Sequence, residues 1–361
     1  MTTTMEYRTL GRTGMAVSPY ALGAMMFGAV GNPDHDECIR MIHVALDHGI
    51  NFVDTADMYS TGESEVIVGK ALRGRRDDVI LASKGHFPLE EGPNRSGNSR
   101  RYLTRAVEAS LGRLGTDYLD LYQVHRPDWT TDLEETLGVL TDLVRAGKIR
   151  AFGTSTYPAH EIVEAHRVAE ARGLMRPRTE QPPYNLLARG IERDVLPVAA
   201  RWGMGVLTWS PLGFGFLTGR HRRGASPTST GRVALRPEWF EPGNPTVDRK
   251  LDVVEDLVGV ADDLGCTLPE LATAFPLAHP AVTSVILGPR TPAQLESSLV
   301  GASLFLDDDV LDRLDEIVPP GTNVYDPNGA FPLPWLTESE QRRRPRGARA
   351  AASSSLTPSA A

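Results

Sequence analysis

Residues 119–156 read LDLYQVHRPDWTTDLEETLGVLTDLVRAGKIRAFGTST and contain one complete strand–helix–strand unit. The apolar runs Leu119–His125 and Ile149–Thr156 have the length and the β-branched and aromatic content of buried strands. Between them, Asp132–Ala146 repeats its apolar residues with helical periodicity, and Gly147 follows as a common helix-ending residue. Two strands joined by a helix in this way lie parallel in one sheet. The unit therefore predicts an α/β protein.

The same alternation of strand and helix patterns extends over most of the 361-residue chain. The apolar runs, eight in all, are Tyr20–Phe27, Asn51–Thr55, Val79–Lys84, Leu119–His125, Ile149–Thr156, Thr179–Tyr184, Gly205–Ser210 and Thr283–Gly288. The helix candidates between them include Asp34–His48, Glu63–Arg73, Arg100–Leu114, Asp132–Ala146 and Ala159–Arg172. Eight such units in a chain of this length predict a closed (β/α)8 TIM barrel. A doubly wound open sheet is the alternative.

A few segments do not fit the repeat. Tyr7–Val17 predicts a small β-hairpin before the first barrel strand, Pro211–Pro245 a long loop after strand 7, and Leu306–Ile317 an added C-terminal helix. We expect one barrel domain over residues 1–337. The Arg-, Ala-, Ser- and Pro-rich residues 338–361 predict a disordered, solvated tail, with a basic docking arm as the alternative.

The composition limits the class of protein. A hydrophobic share of 41% and a charged share of 23% are typical of a globular chain that buries a large core, which excludes disorder throughout. Two cysteines exclude a disulfide-stapled scaffold. The formal charge of −8 argues against a nucleic-acid or anionic-membrane partner. No secretory signal or membrane span is visible, so a cytoplasmic location is expected. Nothing in the sequence indicates the oligomeric state.

Ionisable residues stand at the ends of three successive predicted strands. Asp54, Lys84 and His125 end strands 2, 3 and 4, and Tyr59 lies in the loop after Asp54. Each residue alone has an ordinary structural explanation as a cap, a solvent-facing group or an interior polar group. Because the active sites of such barrels are built at the carboxyl ends of the strands, their joint occurrence predicts a catalytic site.

These residue types suit proton delivery to a carbonyl oxygen. A tyrosine with its ordinary pKa of about 10 is a poor acid near neutrality, and a lysine cation within about 6 Å lowers that pKa. Asp54 would keep Lys84 charged, and a neutral His125 would position the carbonyl. None of these side chains is an obvious hydride source, so the chemistry requires a redox cofactor. A Schiff-base aldolase with Lys84 as nucleophile is an alternative.

The motifs around these residues resemble those of the aldo-keto reductases, in the branch that also contains the potassium-channel β subunits. The resemblance extends from about Tyr7 to Ile317 and rests on Asn51–Tyr59, Gly62–Glu65, Ser83–Lys84, Asp117–His125, Gly147–Arg150 and Trp209–Gly213. It implies a (β/α)8 barrel that uses NADPH without a metal and without a Rossmann domain. It also implies the catalytic tetrad Asp54, Tyr59, Lys84 and His125. In agreement, the sequence contains no strand–GxGxxG–helix unit and no metal-spaced Cys/His cluster.

The resemblance further implies a track of cofactor contacts along the later strand ends, where Ser155, Thr156 and Gln181 hold the carboxamide. Trp209 would stack on the nicotinamide, and Arg290 at a helix N-terminus would bind the 2′-phosphate. Core packing for Trp209 and a solvated cap for Arg290 are the structural alternatives. The implied set is Gly23, Met25, Asp54, Ser155, Thr156, Gln181, Trp209, Ser210, Leu212, Arg220, Gly288, Arg290, Gln294 and Ser298.

Some positions depart from the family pattern. Thr156 stands where relatives usually have Asn, and Arg220 stands where Lys is common. Ser297 and Ser298 replace the usual Glu and Asn near the adenine.

Apolar residues are expected to form the substrate pocket above the tetrad, which favours a bulky or ring-bearing carbonyl compound. The candidate walls are Met26, Phe27, Met58, Phe87 and Trp129, with Tyr325 or Trp335 reaching over from the C-terminal segment. Plain core packing is the alternative for this set. Arg126 and Asp128 would add polar contacts, and the long loop after strand 7 would act as a lid over the cofactor.

The sequence thus predicts an NADPH-dependent reductase of aldehydes or ketones. Tyr59 donates the proton, Lys84 and Asp54 tune Tyr59, and His125 orients the substrate oxygen. A redox-sensing regulatory subunit that binds the cofactor with little turnover is the alternative. Neither the substrate, the physiological direction nor the strictness for NADPH over NADH follows from the sequence.

Overall fold

The computed structural model describes residues 5–224, 233, 236–241, 243–327, 331 and 333–343. The chain divides into two units, Met1–Tyr325 and Asp326–Ala361. The first unit contains the barrel, and the described part of the second contains the short helical segments Pro334–Thr337 and Ser339–Arg342. Residues 344–361 of the predicted tail lie outside the described residues, so the disorder of the tail and a domain boundary at residue 337 stay predictions.

Eight parallel strands close into a barrel in which the spatial order follows the chain. The barrel strands are β3 (Tyr20–Gly23), β4 (Phe52–Asp54), β5 (Ile80–Gly85), β6 (Leu119–Val124), β7 (Ile149–Ser155), β8 (Thr179–Gln181), β9 (Gly205–Thr208) and β10 (Val282–Leu287). An antiparallel pair, β1 (Arg8–Thr9) and β2 (Ala16–Val17), precedes them. The predicted TIM barrel with an N-terminal hairpin is confirmed, and the open sheet is wrong because β10 pairs with β3.

Helices follow the strands. In the described part of the barrel unit they are α1 (His35–Asp47), α2 (Glu63–Ala71), α3 (Arg100–Leu114), α4 (Leu133–Arg145), α5 (Ala159–Arg172), α6 (Val195–Trp202), α7 (Pro245–Leu264), α8 (Leu268–Ala278), α9 (Pro292–Gly301) and α10 (Asp308–Ile317). Their ends carry ordinary caps: the Asp34 side chain accepts from the Glu37 N–H at the start of α1, and Gly173 ends α5 with a left-handed φ of 63°. The added helix predicted at Leu306–Ile317 is confirmed as α10.

Alternation along the strands divides the barrel lumen into an apolar floor and a polar mouth. Phe52, Ala82 and Leu121 pack together inside the barrel, and the hairpin residues Leu10 and Val17 close its lower end. Residues two positions further along a strand point to the same side. The lumen-facing positions nearest the carboxyl ends of these strands therefore carry the polar side chains of the site.

The segment after β9 is built from short turns. Gly213–Thr218 and Pro237–Phe240 are 3₁₀ helices, and Asn244 caps α7 by accepting from the Thr246 N–H. Residues 225–232, 234, 235 and 242 of the predicted long loop lie outside the described residues. The role of this segment as a lid stays a prediction.

Candidate active site

Lys84 occupies the centre of the polar mouth. Its Nζ donates to Asp54 Oδ2 at 2.6 Å, to the Thr55 carbonyl at 2.8 Å and to Tyr59 Oη at 3.3 Å. Lys84 and Asp54 are both buried, with 0% and 2% of their surface exposed. All three hydrogens of the ammonium group therefore bond within the site. Because ammonium has no acceptor, Tyr59 receives a hydrogen bond from Lys84 and keeps its own proton for another partner.

A strained turn places Tyr59 over β4. The Asp57 N–H donates to the Lys84 carbonyl at 3.1 Å, which ties the loop to the end of β5. The turn Tyr59–Gly62 then contains Ser60 and Thr61 in the left-handed region, with φ of 48° and 56°. Such conformations cost energy in non-glycine residues and persist where the surroundings enforce them. Here the Ser60 hydroxyl donates to the Phe27 carbonyl at 3.0 Å, which anchors the turn to the loop after β3.

His125 completes the group as a neutral base. Burial lowers its pKa well below 6.5, and the charges of Lys84 and Arg126 lower it further. Its ring lies edge-on to Tyr59 at a centroid distance of 5.8 Å and to Phe87 at 5.0 Å. Within the described residues, its buried Nδ1 has no hydrogen-bond partner. A neutral imidazole in this position can donate one hydrogen bond to a carbonyl oxygen.

The ionisation of Tyr59 differs from the sequence expectation. Burial raises the pKa of Tyr59 above its ordinary value of 10, and Lys84 only partly offsets this rise. The expectation of a phenol with a net lowered pKa is therefore wrong for the protein alone, because the same closure that brings Lys84 near also removes water. For Lys84, burial lowers the pKa, but Asp54 and Tyr59 raise it more, so the net direction is upward. The Lys84 side chain is a cation, which makes it a poor Schiff-base nucleophile.

Strands β7 and β8 contribute Ser155, Thr156 and Gln181 to the mouth. Gln181 Nε2 donates to Asp54 Oδ1 at 2.9 Å, and the Ser155 hydroxyl donates to the Gln181 carbonyl at 2.9 Å. Thr156 has a left-handed φ of 60°, and its Oγ1 accepts from Arg126 Nη1 at 2.9 Å. The structure thus brings these residues to the tetrad, although their polar atoms bond to protein groups.

Trp209 and the turn after it follow next around the barrel. The half-buried Trp209 indole packs edge-on against Phe214 at 5.9 Å. Ser210 has a left-handed φ of 59°, and its Oγ accepts from the Phe214 N–H at 3.0 Å. Leu212 caps this turn, and Arg220 is exposed beyond it.

The segment predicted to bind the adenosine end opens α9. Gly288 is exposed, and a Cβ built on it would meet no atom within 4 Å. The Gln294 side chain accepts from the Arg290 N–H at 2.8 Å, and the Ser298 hydroxyl donates to the Gln294 carbonyl at 2.9 Å. Gln294 thus helps Thr291 to cap the helix start, whereas Ser298 bonds back to the backbone inside the helix. The sequence analysis did not foresee these structural roles.

These residues fit a phosphate-bearing dinucleotide. The open surface at Gly288 leads to a helix N-terminus, which attracts anions. Neither Arg220 nor Arg290 forms an ion pair with a carboxylate of the described residues. Gly23 is buried, and a Cβ there would collide with the Ile286 side chain at 2.6 Å, so the position suits only glycine. Met25 is half-buried.

Of the residues predicted to line the substrate pocket, some are at least partly exposed and one is buried in the core. Met58 and Trp129 are exposed, at 37% and 42%, and Met26 and Phe87 are half-buried. Phe27 is completely buried in the core between strands and helices, so it offers no surface to a substrate.

The remaining candidates for the substrate pocket are Tyr325, Trp335 and Asp128. The Tyr325 ring packs edge-on against Phe214 at 6.1 Å, on the segment after β9. Trp335 belongs to the second unit, and its role as a pocket cover stays a prediction. The Asp128 carboxylate already accepts hydrogen bonds within the protein, from Asn98, Thr130 and Thr131. Its predicted contact with substrate therefore lacks support.

Asn185 is a residue that the sequence analysis missed. It is fully buried, its Nδ2 donates to the Ser210 carbonyl at 3.0 Å, and its Oδ1 accepts from the Leu187 N–H at 2.9 Å. It thereby positions the turn after Trp209. The available signal was its place directly after the sixth apolar run, where strand ends carry functional residues.

Comparison with known proteins agrees with this geometry. A sequence model of the Aldo/keto reductase family matches residues 20–319. The chain belongs to the Aldo/keto reductase family. The predicted resemblance is thus confirmed, and membership supports oxidoreductase activity on carbonyl compounds in a family that typically binds a nicotinamide cofactor.

Individual relatives align with this chain over nearly their whole length. A probable voltage-gated potassium channel subunit beta of Arabidopsis thaliana is 37% identical over 321 residues, which is 87% of this chain and 97% of the relative. A putative channel subunit beta of Schizosaccharomyces pombe is 36% identical, over 87% of this chain and 93% of its own. The Bacillus subtilis protein named uncharacterized oxidoreductase YrpG is 38% identical, over 87% and 96%.

Two further findings concern only the described part of the chain. No group of three or more His, Cys, Asp or Glu side chains is arranged there to hold a metal ion. No helix there combines the length and apolar character needed to cross a membrane.

Proposed function

We propose that this aldo-keto reductase reduces an aldehyde or ketone to an alcohol with NADPH. The observation that carries the proposal is the cluster in which Lys84 Nζ contacts both Asp54 Oδ2, at 2.6 Å, and Tyr59 Oη, at 3.3 Å, beside a neutral His125. A phenol that contacts a cation on its buried side and faces the mouth of the barrel on the other is suited to donate a proton to a carbonyl oxygen.

The reaction balances as carbonyl plus NADPH plus one proton giving alcohol plus NADP⁺. NADPH, when bound, would be the hydride source for the carbonyl carbon. The Tyr59 hydroxyl gives its proton to the carbonyl oxygen, and solvent later restores that proton. Trp209, Ser210, Arg220 and Arg290 are the residues that we expect to hold the cofactor.

The protein's own residues stabilise the charge that moves during this step. The raised pKa of Tyr59 keeps the proton on the phenol until it is needed. As the proton leaves, the developing phenolate faces the Lys84 cation, so the favourable interaction grows in the transition state. Asp54 prevents Lys84 from losing its charge in the buried site. His125 donates to the same carbonyl oxygen and fixes its position.

The test is oxidation of NADPH, followed by nicotinamide absorbance, against a panel of sugars, quinones, aryl aldehydes and keto-polyketides. Tyr59→Phe is expected to retain cofactor binding, measured by fluorescence titration, and to lose about 10²- to 10⁴-fold in kcat. Wild-type rates in Tyr59→Phe would overturn the assignment of Tyr59 as the proton donor. Repeating the panel with NADH measures the preference for the 2′-phosphate.

A regulatory subunit with little turnover is a second candidate, because relatives that match over most of this chain are named potassium channel subunits. Tight retention of NADPH without turnover on the whole panel, together with a co-purifying membrane protein, would favour this candidate. Measurable turnover that depends on Tyr59 would favour the reductase.

A further inference from the structure

The guanidinium of Arg126 lies at the open end of the barrel beside the tetrad. Its Cζ is 5.9 Å from the centre of the Phe87 ring and 5.8 Å from that of the Trp209 ring. The Phe87 ring is in turn 5.0 Å from the His125 ring. Aromatic rings attract a cation placed near them. Arg126 therefore holds a positive charge close to the point where a carbonyl oxygen would meet His125.

Hydrogen bonds to two neighbouring strands fix the direction of this side chain. Arg126 Nη1 donates to the His125 carbonyl at 2.7 Å and to Thr156 Oγ1 at 2.9 Å. The Thr156 N–H donates to the Gln181 carbonyl at 3.2 Å, which fixes the acceptor itself. A guanidinium held by the barrel frame can select a ligand geometry, because little side-chain entropy is lost on binding.

The acidic groups near the mouth are already used by the protein. Asp54 is compensated by Lys84 at 2.6 Å. Asp128 follows Arg126 closely in the chain, but its carboxylate bonds to Asn98, Thr130 and Thr131. Both carboxylates therefore already have hydrogen-bond donors within the protein.

Glu180 is a further carboxyl group that interacts with Arg126. It is buried, and it accepts hydrogen bonds from the Thr154 hydroxyl and the Tyr157 N–H. Burial raises its pKa to about 7, against hydrogen bonds that favour its charged form. Glu180 is therefore only partly ionised at neutral pH, so it offsets the Arg126 charge only in part.

We propose that Arg126 selects carbonyl substrates that carry a carboxylate or phosphate group a few bonds from the carbonyl carbon. This inference rests on the proposed carbonyl reduction and names its substrate class. The carbonyl oxygen contacts Tyr59 and His125, while the anionic oxygens contact the guanidinium between Phe87 and Trp209. Planar guanidinium donors match carboxylate and phosphate oxygens well. Arg126 takes no part in hydride or proton transfer.

The test compares charged and neutral substrates in matched pairs. Benzoylformate and its methyl ester form one pair, and glycolaldehyde phosphate and glycolaldehyde form the other, which separates carboxylate from phosphate recognition. Arg126→Gln is expected to lower kcat/KM about 10- to 100-fold for the charged member, mainly through KM, and by less than about threefold for the neutral member. Arg126→Lys retains the charge and is expected to fall between them.

A surface arginine controls for the change in net charge. Arg167 has 68% of its side chain exposed, and Arg167→Gln is expected to leave both members of each pair unchanged. Thr156→Val removes one acceptor of Arg126 but keeps the cation, so it should weaken the preference for the charged member without abolishing it. Wild-type KM should rise with ionic strength for the charged member alone, which tests the inference even where a variant does not fold.

A binding measurement separates this inference from the proposed function. Oxamate and its neutral analogue oxamide are titrated into the NADP⁺-bound protein, with tryptophan fluorescence as the readout. Oxamate binding that weakens at least about tenfold in Arg126→Gln supports the anion site even if no carbonyl compound is reduced. Equal losses for charged and neutral ligands, or normal ester reduction without any charge preference, would overturn the role of Arg126 and leave carbonyl reduction standing.

Discussion

Gln181 Nε2 donates a hydrogen bond to Asp54 Oδ1 at 2.9 Å, and the two residues lie 127 positions apart in the chain. Their strands, β8 and β4, face each other across the closed barrel. Asp54 therefore receives hydrogen bonds from two sides, one from Gln181 and one from Lys84. A single carboxylate thus joins β4 both to the neighbouring strand β5 and to the opposite strand β8.

This bond predicts a stability cost for Gln181→Leu. The substitution leaves a buried carboxylate oxygen without its donor, so the free energy of unfolding is expected to fall by about 1–3 kcal/mol in urea denaturation. Gln123→Leu is the comparison, because Gln123 is also buried and its Nε2 has no hydrogen-bond partner in the described residues. It loses only the hydrogen bond that its Oε1 accepts from the neutral Thr179 hydroxyl at 3.2 Å, so a smaller loss of stability is expected. A larger loss for Gln123→Leu would contradict this reading of the Asp54 environment.

The buried Lys84–Asp54 ion pair predicts that substitutions of the two residues have strongly coupled effects on the free energy of unfolding. Lys84→Met leaves the Asp54 charge buried and is expected to destabilise the protein by about 3–5 kcal/mol, because an uncompensated buried charge is costly. Asp54→Leu is expected to behave similarly. The double variant should cost less than the sum of the two, by more than about 1 kcal/mol, in the same urea assay. Additive losses would show that the two side chains act independently. Glu170→Gln, at an exposed pair, should change nothing measurable.

Asp57 predicts a pH-dependent gain in stability. Burial and the neighbouring Glu65 raise its pKa from 3.8 to about 7. The cost of ionising Asp57 in the folded state therefore grows from about pH 4 and is complete above about pH 7. At about pH 8, Asp57→Asn is expected to raise the free energy of unfolding by up to about 4 kcal/mol, since one pKa unit corresponds to about 1.4 kcal/mol. The gain should disappear as the pH falls towards about 4. Urea unfolding at several pH values checks this.

Asp128 provides a control, because its substitution by Asn is expected to change the stability in the opposite direction to Asp57→Asn. Burial opposes ionisation there, but hydrogen bonds from Thr131 and Thr130 outweigh it and lower its pKa to about 2. A lowered pKa stabilises the fold above the unfolded value and loses that contribution as the pH falls through the folded value. Asp128→Asn should therefore destabilise the protein at neutral pH, with a loss that shrinks in acid. The same sign for both variants would refute these assignments.

The tetrad predicts a flat pH profile for the proposed reduction. The pKa of Tyr59 is raised above 10 by burial, and that of His125 is lowered well below 6.5 by burial, Lys84 and Arg126. Both groups therefore keep one protonation state, and kcat is expected to stay constant from about pH 7 to about pH 9. A limb near the ordinary histidine pKa that disappears in His125→Gln would contradict a neutral His125.

The barrel itself was predictable because its signals are local. Strand periodicity and length identified runs such as Leu119–His125, and the eightfold repeat favoured a closed barrel over an open sheet. The same reasoning placed Asp54, Lys84 and His125 at one end, because parallel strands have their carboxyl ends together. Phe27 was misassigned to the pocket wall, since an apolar residue near a strand end has the same pattern whether it faces a ligand or the core.

The sequence by itself determined the strand order and placed Asp54, Lys84 and His125 together at one end of the barrel. Only the tertiary structure decided how the side chains at that end pair: Gln181 with Asp54 across the lumen, Arg126 with Thr156, and Asp128 with its own loop. It also decided that the pKa of Tyr59 rises despite Lys84. The physical reason is that pairing and burial depend on barrel closure, which joins distant residues and removes water, whereas periodicity is a property of neighbouring residues.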